Sequence, residues 1–493
     1  MGFDPHVLRA IGTHVTKRGI ALGETYDVVG RLRGTENSRA IMLVAHYDSV
    51  PRAPGAADDA AGVAAILETA RALRAGAPLK NDVIVLLTDG EEAGLLGADA
   101  FATSHPWMKD VGLIMNFEAR GNKGPSLLFE TGTGNASLIK ALAQSASHPV
   151  GSSLFYSLYK LLPNDTDFTV FRRQNIPGLN FAFGENLEAY HSQLDTPGAL
   201  SLSSLQHHGS YALDLTRQFG SMDLTKLTNQ KSDDVFFDWV GSVFMVYGQF
   251  WVIPGEMLVS VGLFALIFVS IRRGELRPLA LLLASLWSIL FLVLIPAVLA
   301  AAYWVTSRAL SGRMIAADSQ PNTLLLIGFV LLGVCTGTLL FTLGRRRFAV
   351  RELSLAGLIE LCVFSWAVAL VLPAGSYVLF WPLLVTVVAL LVAALRGAKG
   401  TFTSTATALL GMAATVLIFA PILYLLYIFL TLQLITAVSA GLLIGMAFLF
   451  CGPFLETAIP QTAWRLIGVI LTGSALITIA AGITLSKPSP SHP

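Results

Sequence analysis

The 493-residue sequence has little cysteine, and its three cysteines, Cys335, Cys362 and Cys451, all lie in apolar stretches of the second half. The polar first half therefore has neither a disulfide framework nor a thiolate site, and any metal it binds has to use His, Asp and Glu. Charge is scarce as well, but only at one end. Residues 1–234 carry 20 basic and 25 acidic side chains, whereas residues 235–493 carry 13 and 7. A formal net charge of +1 thus hides an acidic polar half and a basic apolar half. The first half has no basic cluster, which argues against a nucleic-acid partner. Residues 1–30 also lack an apolar run that could serve as a signal peptide or a span.

The second half has long apolar runs. A hydrocarbon core about 30 Å thick needs roughly 20 apolar residues as helix. Eight runs qualify, near 252–271, 279–303, 323–343, 353–373, 377–395, 407–428, 433–452 and 464–485. Residues 235–251 are apolar too, but Asp238 interrupts them and Pro254 follows, so they are expected to be an interfacial segment. Loops after the odd-numbered spans hold Arg272, Arg273, Arg277, Arg345, Arg346, Arg347, Arg351, Arg396, Lys399 and Arg465. Those after the even spans and in the tail hold Arg308, Arg313 and Lys487. Short cytoplasmic loops collect Lys and Arg, so the odd loops are expected in the cytoplasm and the polar half and tail on the non-cytoplasmic side of the lipid bilayer. Glu360 is the one ionisable residue expected well inside a span. An intramembrane carboxyl is a functional candidate by default, but transport would need more polar stations than one.

From residue 40 onward, apolar strand patterns (40–45, 83–88, 111–117, 126–130, 178–183) alternate with amphipathic helix patterns (60–75, 95–104, 136–147, 201–219). Such alternation implies an α/β domain, a mostly parallel sheet with helices on both faces, with ligands at the carboxyl ends of the strands. The domain is expected over 1–220, a linker and interfacial segment over 221–251, an all-α multi-span transmembrane domain of eight helices over 252–485, and a tail over 486–493. The polar residues cluster at the strand ends: His46-Tyr47-Asp48-Ser49, Asp58-Asp59, Asp89-Gly90-Glu91-Glu92, Asn116-Phe117-Glu118 and, farther on, Tyr190-His191 with Asp195. Taken singly, each has an ordinary reading, such as a helix N-cap for the Asp58-Asp59 pair. Together they are harder to dismiss, because carboxylates converging on one sheet edge repel unless cations hold them. Imidazoles mixed with carboxylates suit zinc and related divalent ions. His6, His14, His105, His148, His207 and His208 fit no such pattern and are expected to be structural or exposed.

The ordered blocks HYDS, GAADDAAG, DGEEAGLLG, NFEARG and YHSQLDT, spanning roughly residues 40–200, resemble those of the co-catalytic di-zinc exopeptidases of metallopeptidase family twenty-eight, and the multi-span half resembles the family's membrane-bound branch. The resemblance implies a zinc-exopeptidase-like fold and a hydrolase acting on peptides with two zinc ions. His46 and Glu118 would share one ion, Glu92 and His191 the other, and Asp58 would bridge them. Glu91 would be the general base. Asp48 is expected to hold the other nitrogen of His46, and Asp195 to act similarly near His191. Tyr190 and the 164–168 block, Asp167 included, lie where the family has substrate-facing residues. Glu118 stands where many relatives have Asp, which lengthens that ligand arm.

A membrane-anchored, zinc-dependent exopeptidase is therefore expected, an aminopeptidase in preference to a carboxypeptidase. A single-zinc aminoacyl transferase like the glutaminyl cyclases is disfavoured because His46, Glu118 and His191 are all present. A peptide-binding scaffold or transporter is disfavoured because it would not need Glu91. Only 39 residues precede the first catalytic strand, so the functional protein is expected to extend farther at its N-terminus, with the sheet edge otherwise bare.

Overall fold

A strand at the centre of a parallel sheet is covered on both faces and must be apolar on both; all seven residues of Ala40–His46 are buried. The computed structural model describes residues 3–16, 19–36, 39–160, 164–227, 232–239, 243–310, 320–395, 401–430, 432–458 and 461–486. It divides into two compact units, Met1–Gln249 and Phe250–Pro493. The first is built on a seven-stranded sheet of β1 His6–Thr16, β2 Gly19–Leu32, β3 Ala40–His46, β4 Val83–Thr88, β5 Val111–Ala119, β6 Leu127–Thr131 and β7 Gly178–Phe183. Their spatial order is β1-β2-β4-β3-β5-β7-β6. β4, β3, β5 and β7 run parallel, as the alternation implied, and β2 and β6 flank them antiparallel.

Alternate residues of each strand serve the two helical layers. Ile41, Leu43 and Phe181 pack with α1 Ala60–Ala75, α3 Ala136–Ser145 and α6 Leu202–Gly220 through Ile66, Ile139 and Leu215. Met42, Val44 and Ile114 face α2 Leu96–Ser104 and α5 Asp167–Arg172 through Phe101 and Phe168. A further short helix, α4 Ser153–Tyr159, lies beside β6. β3 has β4 on one side and β5 on the other, so the winding reverses there and a crevice opens at its carboxyl end.

Two expectations are corrected. β1 and β2 pair antiparallel, and β2 pairs with β4 from Val28↔Leu87 to Leu32↔Val83, so the edge of β4 is covered. Glycines at 12, 19 and 23 break up the strand signal in sequence. At Gly12 the reason is steric: a Cβ would lie 2.0 Å from the Leu96 carbonyl oxygen, so only a bare backbone lets β1 lie against α2. The stretch expected as a linker and interfacial segment contains an antiparallel strand pair, β8 Asp234–Trp239 with β9 Val243–Gly248, and Phe236 is buried in the core that holds Leu128 and Leu142. Its aromatic residues suit a membrane interface and a folded edge equally well, and the pairing decides between them.

The second unit consists of α7 Val252–Arg272, α8 Pro278–Ala309, α9 Gln320–Gly344, α10 Val350–Val371, α11 Tyr377–Leu395, α12 Thr401–Leu430, α13 Leu434–Ala458 and α14 Gln461–Leu485. Among the described residues, eight helices are long and apolar enough to cross a membrane. Small residues set the contacts, as expected where water does not drive association. A Cβ on Gly441 of α13 would meet the Pro296 backbone of α8 at 2.5 Å, and one on Gly445 the Phe291 carbonyl at 2.6 Å. Glu360 accepts a 2.7 Å hydrogen bond from Ser288. A second intrahelical carboxyl, Glu256, is fully buried and accepts from Ser365 at 2.7 Å. Arg277 meets Glu352 through two hydrogen bonds, 2.9 and 3.1 Å, and Arg351 pairs with Glu275. Of the loop cations, Arg313, Arg396, Lys399 and Lys487 lie outside the described residues.

Overpacking a well-packed contact costs about 1–3 kcal/mol. Gly12→Ala is therefore expected to lower the unfolding temperature of the first unit by a few degrees, read by thermal denaturation of the detergent-solubilised chain. An unchanged transition would mean that β1 does not depend on its contact with α2.

Candidate metal centre

Register carries the first ligand candidates to one edge. His46 is the last residue of β3 and pairs with Thr88 at the end of β4, while Val44↔Asn116 aligns β5 so that Glu118 lies beside His46. Asp58 arrives on the loop before α1, Glu91 and Glu92 on the loop after β4, and His191 on the segment after β7. His191 has φ 54°, in the left-handed region that few residues with a side chain adopt.

The side chains converge as pairs sharing one centre. Asp58 Oδ1 lies 3.1 Å from His46 Nε2, and Asp58 Oδ2 3.2 Å from His191 Nε2. Glu118 Oε2 is 3.6 Å from His46 Nε2, and Glu92 Oε1 is 3.0 Å from His191 Nε2. Glu92 Oε1 is buried and makes no hydrogen bond of acceptable geometry. An orphaned oxygen at that range from an imidazole suits a shared cation better than a direct hydrogen bond, and two imidazoles with three carboxylates are a fitting donor set for zinc. Ligand-capable atoms of His46, Asp58 and Glu92 lie within 4.8 Å of one another, as do those of His46, Asp59 and Glu118. Asp59 lies near them but serves the backbone: its oxygens accept from the Gly62 and His46 amides at 3.2 Å each, capping α1 and holding the end of β3.

The same packing sets the protonation of the site. Burial lowers the pKa of His191, but Asp58 and Glu92 outweigh it and bring the value up to about 9. His46 is likewise raised well above the usual imidazole range, its burial outweighed by Asp48, Asp58 and Glu118. Burial would raise Asp58, yet the two imidazoles hold it low. Glu91 is raised well above the ordinary carboxyl range, first by burial and then by the charge of Glu118.

Of three sequence expectations, two change. Asp48 does reach His46 Nδ1, by its backbone carbonyl at 2.9 Å and by its carboxylate at 3.5 Å, and that carboxylate also accepts from the Glu91 and Glu92 amides at 3.0 and 3.2 Å. Asp48 thus fixes two strand ends relative to each other. Asp195 does not hold His191: its carboxylate accepts from the Ala57 and Asp58 amides, at 2.7 and 3.1 Å, and so sets the position of Asp58. Asp167, expected to face substrate, is fully buried at the start of α5 and accepts a hydrogen bond from Thr88, leaving no exposed atom for a ligand. Tyr190 is part-exposed and stacks on His191 with ring centroids 3.7 Å apart. The sequence reading missed Asn116, Asn180 and Glu130, which are buried next to Glu118 and linked to it by hydrogen bonds. Asn116 stood inside a recognised block, but nothing in sequence aligns it with residues 14 and 64 positions away.

Residues 27–216 match the profile of Peptidase family M28. Over 228 residues the chain is 33% identical to endoplasmic reticulum metallopeptidase 1 of Rattus norvegicus, covering 45% of this chain and 25% of that protein. It is 30% identical over 256 residues to the vacuolar membrane protease of Candida dubliniensis, covering 51% of this chain and 26% of that one. Both matches thus span about a quarter of the relatives' length. A solved aminopeptidase from Aneurinibacillus sp. strain AM-1 is similar at 22% identity and a TM-score of 0.34, covering 40% of this chain and 49% of that one.

Each Asp48 carboxylate oxygen accepts from one amide, and an asparagine would put a donor NH2 group in the place of one of those acceptors. Asp48→Asn is expected to weaken zinc binding about 10–100-fold, the usual range for a residue that orients ligands. Competition titration against a chelating indicator measures this, and unchanged affinity would remove Asp48 from that role.

Proposed function

We propose that this chain is a membrane-anchored, zinc-dependent exopeptidase, an aminopeptidase, whose catalytic unit works on peptides on the non-cytoplasmic side of a bilayer. The observation that carries this reading is Asp58, with one oxygen on each of two imidazoles that each have a further carboxylate. His46 and Glu118 would hold one zinc ion, Glu92 and His191 a second, and Asp58 both. Such ions, when bound, supply the Lewis acidity that polarises a scissile carbonyl and acidifies water.

The protein's own groups do the rest. Glu91 is not needed as a ligand, and burial, with the charge of Glu118, raises its proton affinity above that of an ordinary carboxylate, as suits a general base. It takes a proton from the attacking water and delivers it to the leaving amine. Asp48 holds the Glu91 and Glu92 amides, so base and ligand keep a fixed spacing. Tyr190, stacked on His191, offers a ring face and a phenol to the substrate. The side of the membrane rests on the excess of Lys and Arg in the odd loops. Arg277 and Arg351 are ion-paired, but the rule counts cations rather than net charge.

Losing a general base costs typically 10²–10⁴-fold. Glu91→Gln is expected to lose hydrolysis of aminoacyl and peptide substrates by that factor while keeping its zinc, and Asp58→Asn to lose metal and activity together. Metal analysis beside a chelator-controlled assay separates the cases: zinc loss in the Glu91 variant would make Glu91 a ligand, and full zinc in the Asp58 variant would refute the bridge. Sidedness is read by reporter fusions after Thr323 and after Lys487, both expected outside the cytoplasm. A cytoplasmic signal from the tail would mean that the number of spans is odd.

A further inference from the structure

Three neighbouring strands carry buried polar residues directly opposite one another: Asn116 of β5 faces Asn180 of β7, and Asn180 faces Glu130 of β6. Each of the three is at most 1% exposed. Asn116 Nδ2 donates to Glu118 Oε1 at 3.2 Å and to Asn180 Oδ1 at 3.0 Å. Asn180 Nδ2 donates to Glu130 Oε2 at 3.0 Å and to Thr166 Oγ1 at 2.9 Å. Glu130 Oε1 lies 3.0 Å from Arg172 Nε at the far end of α5. Carboxylates can only accept, so a chain that ends in Glu118 on one side and Glu130 on the other must turn both amide nitrogens outward. Asn116 keeps its own carbonyl oxygen buried and without a hydrogen-bond partner, so its amide is held for its donors.

We propose that Glu130, Asn180 and Asn116 are positioning residues that aim Glu118 at the metal centre. Asn116 occupies Oε1 and leaves Oε2, the oxygen 3.6 Å from His46 Nε2, as the single oxygen offered to an ion. A Glu has one more rotatable bond than an Asp, and an unsupported arm here would sample several orientations. The ladder removes that freedom and refers the ligand to a charged anchor two strands away, about 10 Å across the sheet. α5 closes the arrangement, since Thr166 at its N-cap accepts from Asn180 and Arg172 in its last turn lies against Glu130. The inference rests on the zinc-site reading above and adds that the affinity of one of the two positions is set from β6 and β7.

The test is zinc titration of the apo full-length chain in detergent, with circular dichroism and thermal denaturation to establish folding. Asn180→Leu removes both donors while touching none of the five ligand candidates. One of two binding steps is expected to weaken 10–100-fold while the other stays within about twofold. Glu130→Gln, which keeps an acceptor oxygen for Asn180, is expected to lie between this variant and wild type, and it serves as the second variant should Asn180→Leu fail to fold. Two unchanged steps in a folded variant would overturn the ladder, as would equal weakening of both, which would assign these residues to the sheet at large. Absence of zinc binding by the wild-type chain would refute the metal-centre reading itself.

Discussion

The Asp58 carboxylate, held between the imidazoles of His46 and His191, is the contact on which the first unit's organisation converges. A carboxylate can meet two imidazoles only if its backbone is fixed, and Asp195 fixes it through the Ala57 and Asp58 amides. The next residue, Asp59, faces the other way, capping α1 and tying the end of β3. Adjacent aspartates thus divide the work, one facing the metal centre and one holding the backbone. Asp48 repeats the device across the crevice. A loop-borne site acquires the rigidity of the sheet in this way, because each loop is pinned by a buried carboxylate to the end of a strand or to another loop.

The two units treat polar groups under opposite constraints. In the first, carboxylates crowd together because cations and amides can compensate them. The second has few, and each described one inside a span has a local partner: Glu256 with Ser365, Glu360 with Ser288. Hydrocarbon offers no water to satisfy such groups, so the helices must do so among themselves. The ion pairs Arg277–Glu352 and Arg351–Glu275 lie at helix ends, where charge costs least.

Much of the candidate site was legible because its residues are short-range signals. A strand end followed by His-x-Asp, or a Glu-Glu pair after an apolar run, is visible within a few residues, and burial does not scramble it. The ladder was not legible, since Asn116, Glu130 and Asn180 meet only through the pairing of β5, β7 and β6. Asp167 was misread for a related reason: polar residues in a loop look available, and only the packing of α5 against the sheet turns this one toward Thr88. The N-terminal strand pair was hidden because the glycine that lets β1 approach α2 also dilutes the alternation that would announce a strand.

By itself the sequence determined the division into polar and apolar halves, the eight apolar runs, the alternation of strands and helices, and the identities of the ligand candidates. These follow from local hydropathy and period, which a chain cannot conceal. Tertiary structure alone decided which oxygen of each carboxylate faces which imidazole, which acidic residues serve the backbone, and how β6 and β7 reach Glu118. Those depend on strand register and on the direction of single hydrogen bonds, and both are set by contacts between residues far apart in the chain.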